Sequence, residues 1–157
     1  WELSRDLAKQ TFFPNRWMDG SKELTNLMVV APSDKNGNPS MNSNYGAKEL
    51  DLFGPGVNIY LAYMGDTYKT GSGVSLASAS VAGVAALVKA YYPNLTGAQI
   101  RNILLNSVTS RKGVEVEKGI IVDGKQAQDL FLFEDLCLSG GILNAYQAIM
   151  AADKFGK

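Results

Sequence analysis

The stretch GSGVSLASASVAGVAALV, residues 71–88, holds the residue pattern in this sequence best suited to chemistry. Ser75 stands between a glycine-rich turn and the start of an apolar helix. The first N–H groups of a helix have no intrahelical partner, and the helix dipole adds about half a positive charge there. Such a place favours anions. A serine at that point can attack a carbonyl carbon while nearby backbone N–H groups hold the developing oxyanion. The simpler reading is that Ser75 is only a helix N-cap, its hydroxyl occupying one orphan amide. The residues alone leave both open.

Competing motifs fail on single positions. A dinucleotide-binding G-x-G-x-x-G needs glycine at position 76, where Leu76 stands. Gly73-Val74-Ser75-Leu76-Ala77 comes near the G-x-S-x-G nucleophile elbow, but that arrangement needs a histidine downstream and the chain has none. Lys69-Thr70-Gly71 reads K-T-G, yet no serine has a lysine three residues later to complete the penicillin-recognising set.

The elements that must position Ser75 follow from local patterns. Leu27-Met28-Val29-Val30-Ala31 is a continuous apolar run closed by turn residues, which predicts a parallel strand buried on both faces. Val57–Tyr63 and Thr67–Thr70 pair as a predicted hairpin around Gly65-Asp66. A helix from about Ser75 to Tyr91 is apolar on nearly all sides and is predicted to be buried all round. Thr96 and Gln99 form a capping box, and Ile100, Ile103, Leu104 and Val108 give the second helix an apolar stripe. Residues 110–135 are charged, with strand pieces at Val114/Val116 and Phe131/Phe133, and read as a surface insertion. A last helix is predicted from about Leu143 to Ala152.

Composition bounds the partners. Lys plus Arg equals Asp plus Glu at 15 each, so no broad basic field points to nucleic acid. No apolar run reaches about 18 residues, so no transmembrane helix is expected. The single cysteine, Cys137, reads as a small buried hydrophobe without a disulfide or metal role. The chain starts at Trp1 without Met, which reads as a piece of a longer protein.

One family resemblance survives. GVSLASASVAG at residues 73–83 resembles the subtilase nucleophile motif GTSMASPHVAG. Asp51-Leu52-Phe53-Gly54-Pro55-Gly56-Val57 resembles that family's D-[VL]-x-A-P-G-V, and Ser43-Asn44-Tyr45-Gly46 its S-[SN]-x-G. Downstream, Pro93-Asn94-Leu95-Thr96 with Gln99 and Ile100 resembles P-x-L-T-x-x-Q-[VI], and Gly141-Ile142-Leu143-Asn144-Ala145 resembles G-x-[IV]-N-A. The series runs in family order over about residues 13 to 150.

The resemblance implies an α/β, three-layer fold with a largely parallel sheet flanked by helices, residues 1–157 being the C-terminal segment of one subtilisin-like peptidase domain. It implies Ser75 as nucleophile, its own N–H as one oxyanion donor, and Phe13, Pro14 and Asn15 as a wall of the substrate pocket. It implies a peptide or protein substrate, no obligatory cofactor, calcium in some members, and a secreted or cell-envelope setting. The triad histidine and aspartate and the oxyanion asparagine would come from a missing N-terminal part of the same domain. A fragment with an uncovered sheet face and edge is expected to self-associate. Val74 stands where the family has a threonine whose hydroxyl is thought to assist the oxyanion. Ala79 and Ser80 replace Pro and His, neither of them triad members. A non-catalytic, subtilase-like scaffold is therefore the alternative. The related sedolisin type, whose serine works with carboxylates, has a motif nearer SGTSAS. An unrelated α/β binding domain is the remaining class.

Overall fold

The computed structural model describes residues 4–10, 12, 13, 15–18 and 22–155. A short antiparallel pair, β1 (Trp17–Met18) and β2 (Lys22–Glu23), precedes the central sheet. That sheet is built from β3 (Val30–Ser33) and β4 (Leu52–Pro55), which run parallel with Ala31 opposite Phe53. Between β4 and helix α1 (Val74–Tyr91) lies a hairpin of β5 (Ile59–Tyr63) and β6 (Thr67–Gly71). Helix α2 (Gly97–Asn106) and β7 (Thr109–Ser110) follow, then a second hairpin of β8 (Glu115–Val122) and β9 (Lys125–Leu132). The chain ends in β10 (Gly141–Ile142) and helix α3 (Ala145–Ala152). The sheet order is β3-β4-β10-β7, with β10 parallel to β4 and antiparallel to β7.

Leu52 and Phe53 point to opposite faces of β4, as alternation along a strand requires, and each belongs to a different core. Leu52 packs with Val81 and Val88 of α1, Ile100, Ile103 and Leu104 of α2, and Ala148 and Ala152 of α3. Phe53 packs with Ala31, Tyr45, Leu50, Val116, Phe133 and Leu136. The sheet is therefore covered by three helices on one side. On the other it is covered by the β8–β9 hairpin and the loops around residues 45–50 and 133–137.

Local chemistry explains the element ends. Thr96 and Gln99 close the capping box expected of them. Asn144 accepts from the Gln147 N–H at 2.9 Å, so α3 starts at Ala145, two residues later than predicted, and Gly141-Ile142 are released to the sheet. The predicted strand over 27–31 begins only at Val30. Val29 instead donates its N–H to the Asp51 carboxylate at 2.7 Å and accepts the Asp51 N–H at 2.7 Å. The long β8–β9 hairpin turns at Asp123-Gly124, both at positive φ (50° and 75°), as a primed turn requires.

One expectation for α1 is corrected. Its buried residues are Ala77, Val81 and Val88, while Ser75, Ser78, Ala79, Ala82, Gly83, Ala86 and Ala90 lie on an exposed face. Only one side of the helix has a sheet to pack on. By length and composition α1 is also long and apolar enough to cross a membrane. It packs instead on β3 and β4 through its buried stripe. The chain exposes 9651 Å², whereas a compact monomer of its mass exposes about 7,700 Å².

Charge inside the fold is organised around Asp51, which is fully buried. Its Oδ1 accepts from Arg16 at 2.8 Å and from Arg101 at 2.7 Å, and its Oδ2 accepts the Val29 N–H. Glu23, partly exposed, lies 3.4 Å from Arg101 and 3.7 Å from Arg16. This cluster ties the segment before β4 to α2 and to the N-terminal residues. A charged residue on such a helix reads as solvent-facing, yet Arg101 is buried. Removing one partner of a buried ion pair strands the others without solvent and costs about 3–5 kcal/mol. Asp51→Ala is expected to destabilise the protein by that amount in chemical denaturation, while Glu23→Gln costs under about 1 kcal/mol.

Lys118 of β8 is fully buried. Its ammonium donates to Ser4 Oγ at 2.7 Å, Met41 O at 2.8 Å and Ser43 O at 2.5 Å. Burial pushes its pKa from 10.5 to about 7. The unfolded lysine keeps its proton up to about 10.5 while the folded one releases it near 7, so this residue's contribution to stability rises with pH across that window. Denaturation of wild type and Lys118→Met between pH 6.5 and 10 should show wild type gaining relative to the variant as pH rises. A pH-independent difference contradicts the assignment.

Candidate active site

Ser75 is the second residue of α1, and it is exposed. The N-cap is Gly73, in extended backbone with φ 167° and ψ 157°, and no side chain caps the helix. The reading of Ser75 as merely a cap is thereby removed: the hydroxyl sits one step inside the helix, on its open side. The amides of Leu76 and Ala77 both donate to Gly73 O, at 3.1 and 3.4 Å. Val74 and Ser75, at the first two helical positions, present N–H groups that have no acceptor within the helix.

The start of α1 is held in place by absent side chains. A Cβ on Gly56 would lie 2.6 Å from Pro32 Cβ and 3.0 Å from both Ala77 Cβ and Gly73 O. A Cβ on Gly54 would lie 3.1 Å from Val81 Cγ2. With both positions bare, the Gly73 N–H reaches Gly56 O at 2.8 Å, and Ser80 Oγ donates to Pro55 O at 3.2 Å. Ser72, the other serine of the turn, is committed to structure: its Oγ accepts the Asn58 N–H at 2.8 Å, where Asn58 sits at φ 55°.

Beside Ser75 is an open cavity of about 320 Å³, walled by Leu61, Tyr63 and Lys69 of the β5–β6 hairpin, by the glycine-rich turn and by Leu76. The hairpin register places Leu61 opposite Lys69, and both border the cavity. The hairpin predicted over Val57–Tyr63 and Thr67–Thr70 is the sequence signal for this wall, although alternation alone does not say that its inner face borders Ser75. Phe13 and Asn15 do not line this cavity. Phe13 is exposed, Asn15 Oδ1 accepts the Trp17 N–H at 2.8 Å, and Pro14 lies outside the described residues.

The other nucleophile type in the chain is not at a site. Cys137 is buried in the second core, and burial pushes its thiol pKa up. Among the described residues no three His, Cys, Asp or Glu side chains gather as a cation cage. With no histidine in 157 residues, the chain itself offers Ser75 no imidazole base.

Comparison with known proteins identifies the family. The model of the subtilase family matches residues 9–127. Subtilisin Savinase of Lederbergia lenta is 47% identical over 85 residues, which is 54% of this chain and 31% of that protein. M-protease of Shouchella clausii (strain KSM-K16) is 48% identical over 84 residues, 54% of this chain and 22% of that protein. A solved structure described as the structural basis of subtilase cytotoxin SubAB assembly superposes on 98% of this chain and 48% of its own, with TM-score 0.70 and 23% identity, a likeness of fold. The prenylagaramide maturation protease PagA covers 82% of this chain and 44% of its own, with TM-score 0.59 and 27% identity. The matched stretch thus spans about a third or less of these curated relatives.

Because the position of Ser75 depends on a contact that has no room for a methyl group, Gly56→Ala is expected to push the first turn of α1 off β4. Overpacking of this kind costs about 1–3 kcal/mol. Hydrogen exchange should show faster exchange of the Leu76 and Ala77 amides in the variant. Unchanged protection there contradicts the close-packing account.

Proposed function

The chain belongs to the subtilase family and carries a serine protease-like domain, and from that premise we propose that Ser75 is the nucleophile of a serine endopeptidase. Ser75 Oγ attacks a peptide carbonyl carbon, its proton passing to a histidine supplied from outside this chain, which an aspartate orients. The carbonyl oxygen becomes an oxyanion facing the Ser75 N–H. The intermediate collapses with loss of the amine to an acyl-enzyme, and water then releases the acid. The observation that carries this reading is the placement of Ser75 at the second position of α1, uncapped and open to a cavity.

In this reading residues 1–157 are the C-terminal segment of one peptidase domain, with 110–135 an insertion in it. The histidine, the aspartate and the oxyanion asparagine lie on the rest of that domain, and they reach Ser75 across the exposed small-residue face of α1. Ala79, Ala82, Gly83 and Ala86 there leave room for close packing, and the excess exposed area is of the size such a contact would cover. Phe13, Pro14 and Asn15 are assigned to the substrate wall by resemblance alone. The family resemblance supports action outside the cell. One observation favours the second reading, a non-catalytic scaffold: Val74 brings no hydroxyl to the oxyanion.

The whole protein should hydrolyse an unfolded protein such as casein, with Ser75→Ala costing about 10⁴-fold or more. The purified 157-residue chain should show no hydrolysis above buffer and should self-associate in light scattering. Hydrolysis by the whole protein that survives Ser75→Ala removes the nucleophile assignment. Robust Ser75-dependent hydrolysis by the isolated chain, or a stable monomer, removes the division of labour.

A further inference from the structure

The cavity beside Ser75 has one charged residue among those lining it, Lys69. Its neighbours on the same face of the hairpin are apolar: Leu61 directly across the ladder and, diagonally, Tyr63. Leu76 closes the opposite side from α1. Among the described residues no carboxylate lies within ion-pairing distance of Lys69. Its ammonium stands 4.1 Å above the centre of the Tyr63 ring. A lysine laid over an aromatic face is held by the ring quadrupole, and its remaining N–H donors stay free for an incoming acceptor. Tyr60 and Tyr68, on the outer face of the same hairpin, stack on each other at 5.3 Å and stiffen the ribbon that carries Lys69.

We propose that this cavity is a binding subsite for an acidic side chain of a peptide, with Lys69 selecting the charge and Leu61, Tyr63 and Leu76 receiving the methylene stem. The assignment rests on the reading of Ser75 as the reacting centre and deepens it by naming a substrate class. The geometry is complementary to Asp or Glu in two respects. The cation is displaced to one wall, so a carboxylate can reach it while the aliphatic part of the side chain covers the apolar surface. The aromatic ring under the ammonium limits its motion, so less conformational freedom remains to be lost on pairing. A basic side chain in the same cavity would meet Lys69 with no counter-charge.

The site is open to solvent, so the selectivity is set by a screened pair. Exposed pairs are worth about 0.2–1 kcal/mol, which is up to about fivefold in affinity, and reversing the charge changes the sign as well as the size. The pair is also salt-sensitive, weakening as the Debye length shortens to about 3 Å at 1 M salt.

The test uses the whole protein carrying Ser75→Ala, so that binding is read without turnover. Dye-labelled octapeptides in which Asp, Ala or Lys is walked through each position report affinity by fluorescence anisotropy. At one position Asp should bind about three- to fivefold more tightly than Ala, and Lys more weakly. Lys69→Met should erase that difference with the Ala peptide unchanged, Lys69→Glu should invert it, and 1 M salt should flatten it. An affinity pattern without an acidic preference at any position, or a preference that persists in Lys69→Met, overturns the proposal. Hydrolysis is read separately on the protein with Ser75 intact. An acidic preference without Ser75-dependent hydrolysis keeps the subsite and removes the catalytic reading. Hydrolysis without the preference does the reverse.

Discussion

The contact between the end of β4 and the first turns of α1 sets the position of everything functional in this chain. It exists because Gly54 and Gly56 carry no side chains where Val81, Ala77 and the Gly73 carbonyl come against them. Three features follow from that one constraint. The Gly73 amide is captured by Gly56, α1 starts at Val74, and Ser75 is turned outward two residues past an N-cap that has no side chain. The glycine-rich turn is thereby drawn tight between strand and helix. The hydrogen bond from the Asn58 amide to Ser72 then fixes where the β5–β6 hairpin leaves the sheet, and with it the wall of the cavity.

β4 is itself anchored by Asp51, one residue before it. A carboxylate fully removed from water is tolerable only where its oxygens are saturated, and here two guanidinium groups and a backbone amide do so. Arg101 brings α2 to the cluster and Arg16 brings the N-terminal segment. The strand that aims Ser75 is thus tied to two distant parts of the chain. Among the described residues the opposite face of α1 has no such neighbour. Its row of alanines, serines and a glycine is apolar enough for an interior yet open to solvent, and together with the projecting hairpins it accounts for a surface larger than a compact chain of this mass would have.

The sequence made much of this readable, for physical reasons. The capping box at Thr96 and Gln99, the hairpin turn at Gly65-Asp66 and the helix after Gly73 are local signals, and local signals survive without knowledge of partners. The family pattern around Ser75 was legible because bare glycines and small residues are demanded at fixed spacings by the β4–α1 contact. What was not legible depends on distant parts of the chain. Arg101 looks like a solvent-facing residue until Asp51 is brought to it. Lys118 looks like an ordinary polar strand residue until the loop of Met41 and Ser43 folds over it. The helix read as buried all round is buried on one side only, because apolarity tells what a surface tolerates and not what covers it. The Asp123-Gly124 turn is a local signal too, and it joins the strand pieces at Val114/Val116 and Phe131/Phe133 into one hairpin.

The central claim is that Ser75, placed by the β4–α1 contact, is a reactive hydroxyl and not a surface serine. A fluorophosphonate probe reacts with activated serines, so the adduct formed on the folded whole protein tests the claim most directly when located by peptide mass spectrometry. The account predicts one adduct, on Ser75, abolished by prior unfolding. A folded protein that takes no adduct, or that takes it on another serine while Ser75 stays unmodified, contradicts it.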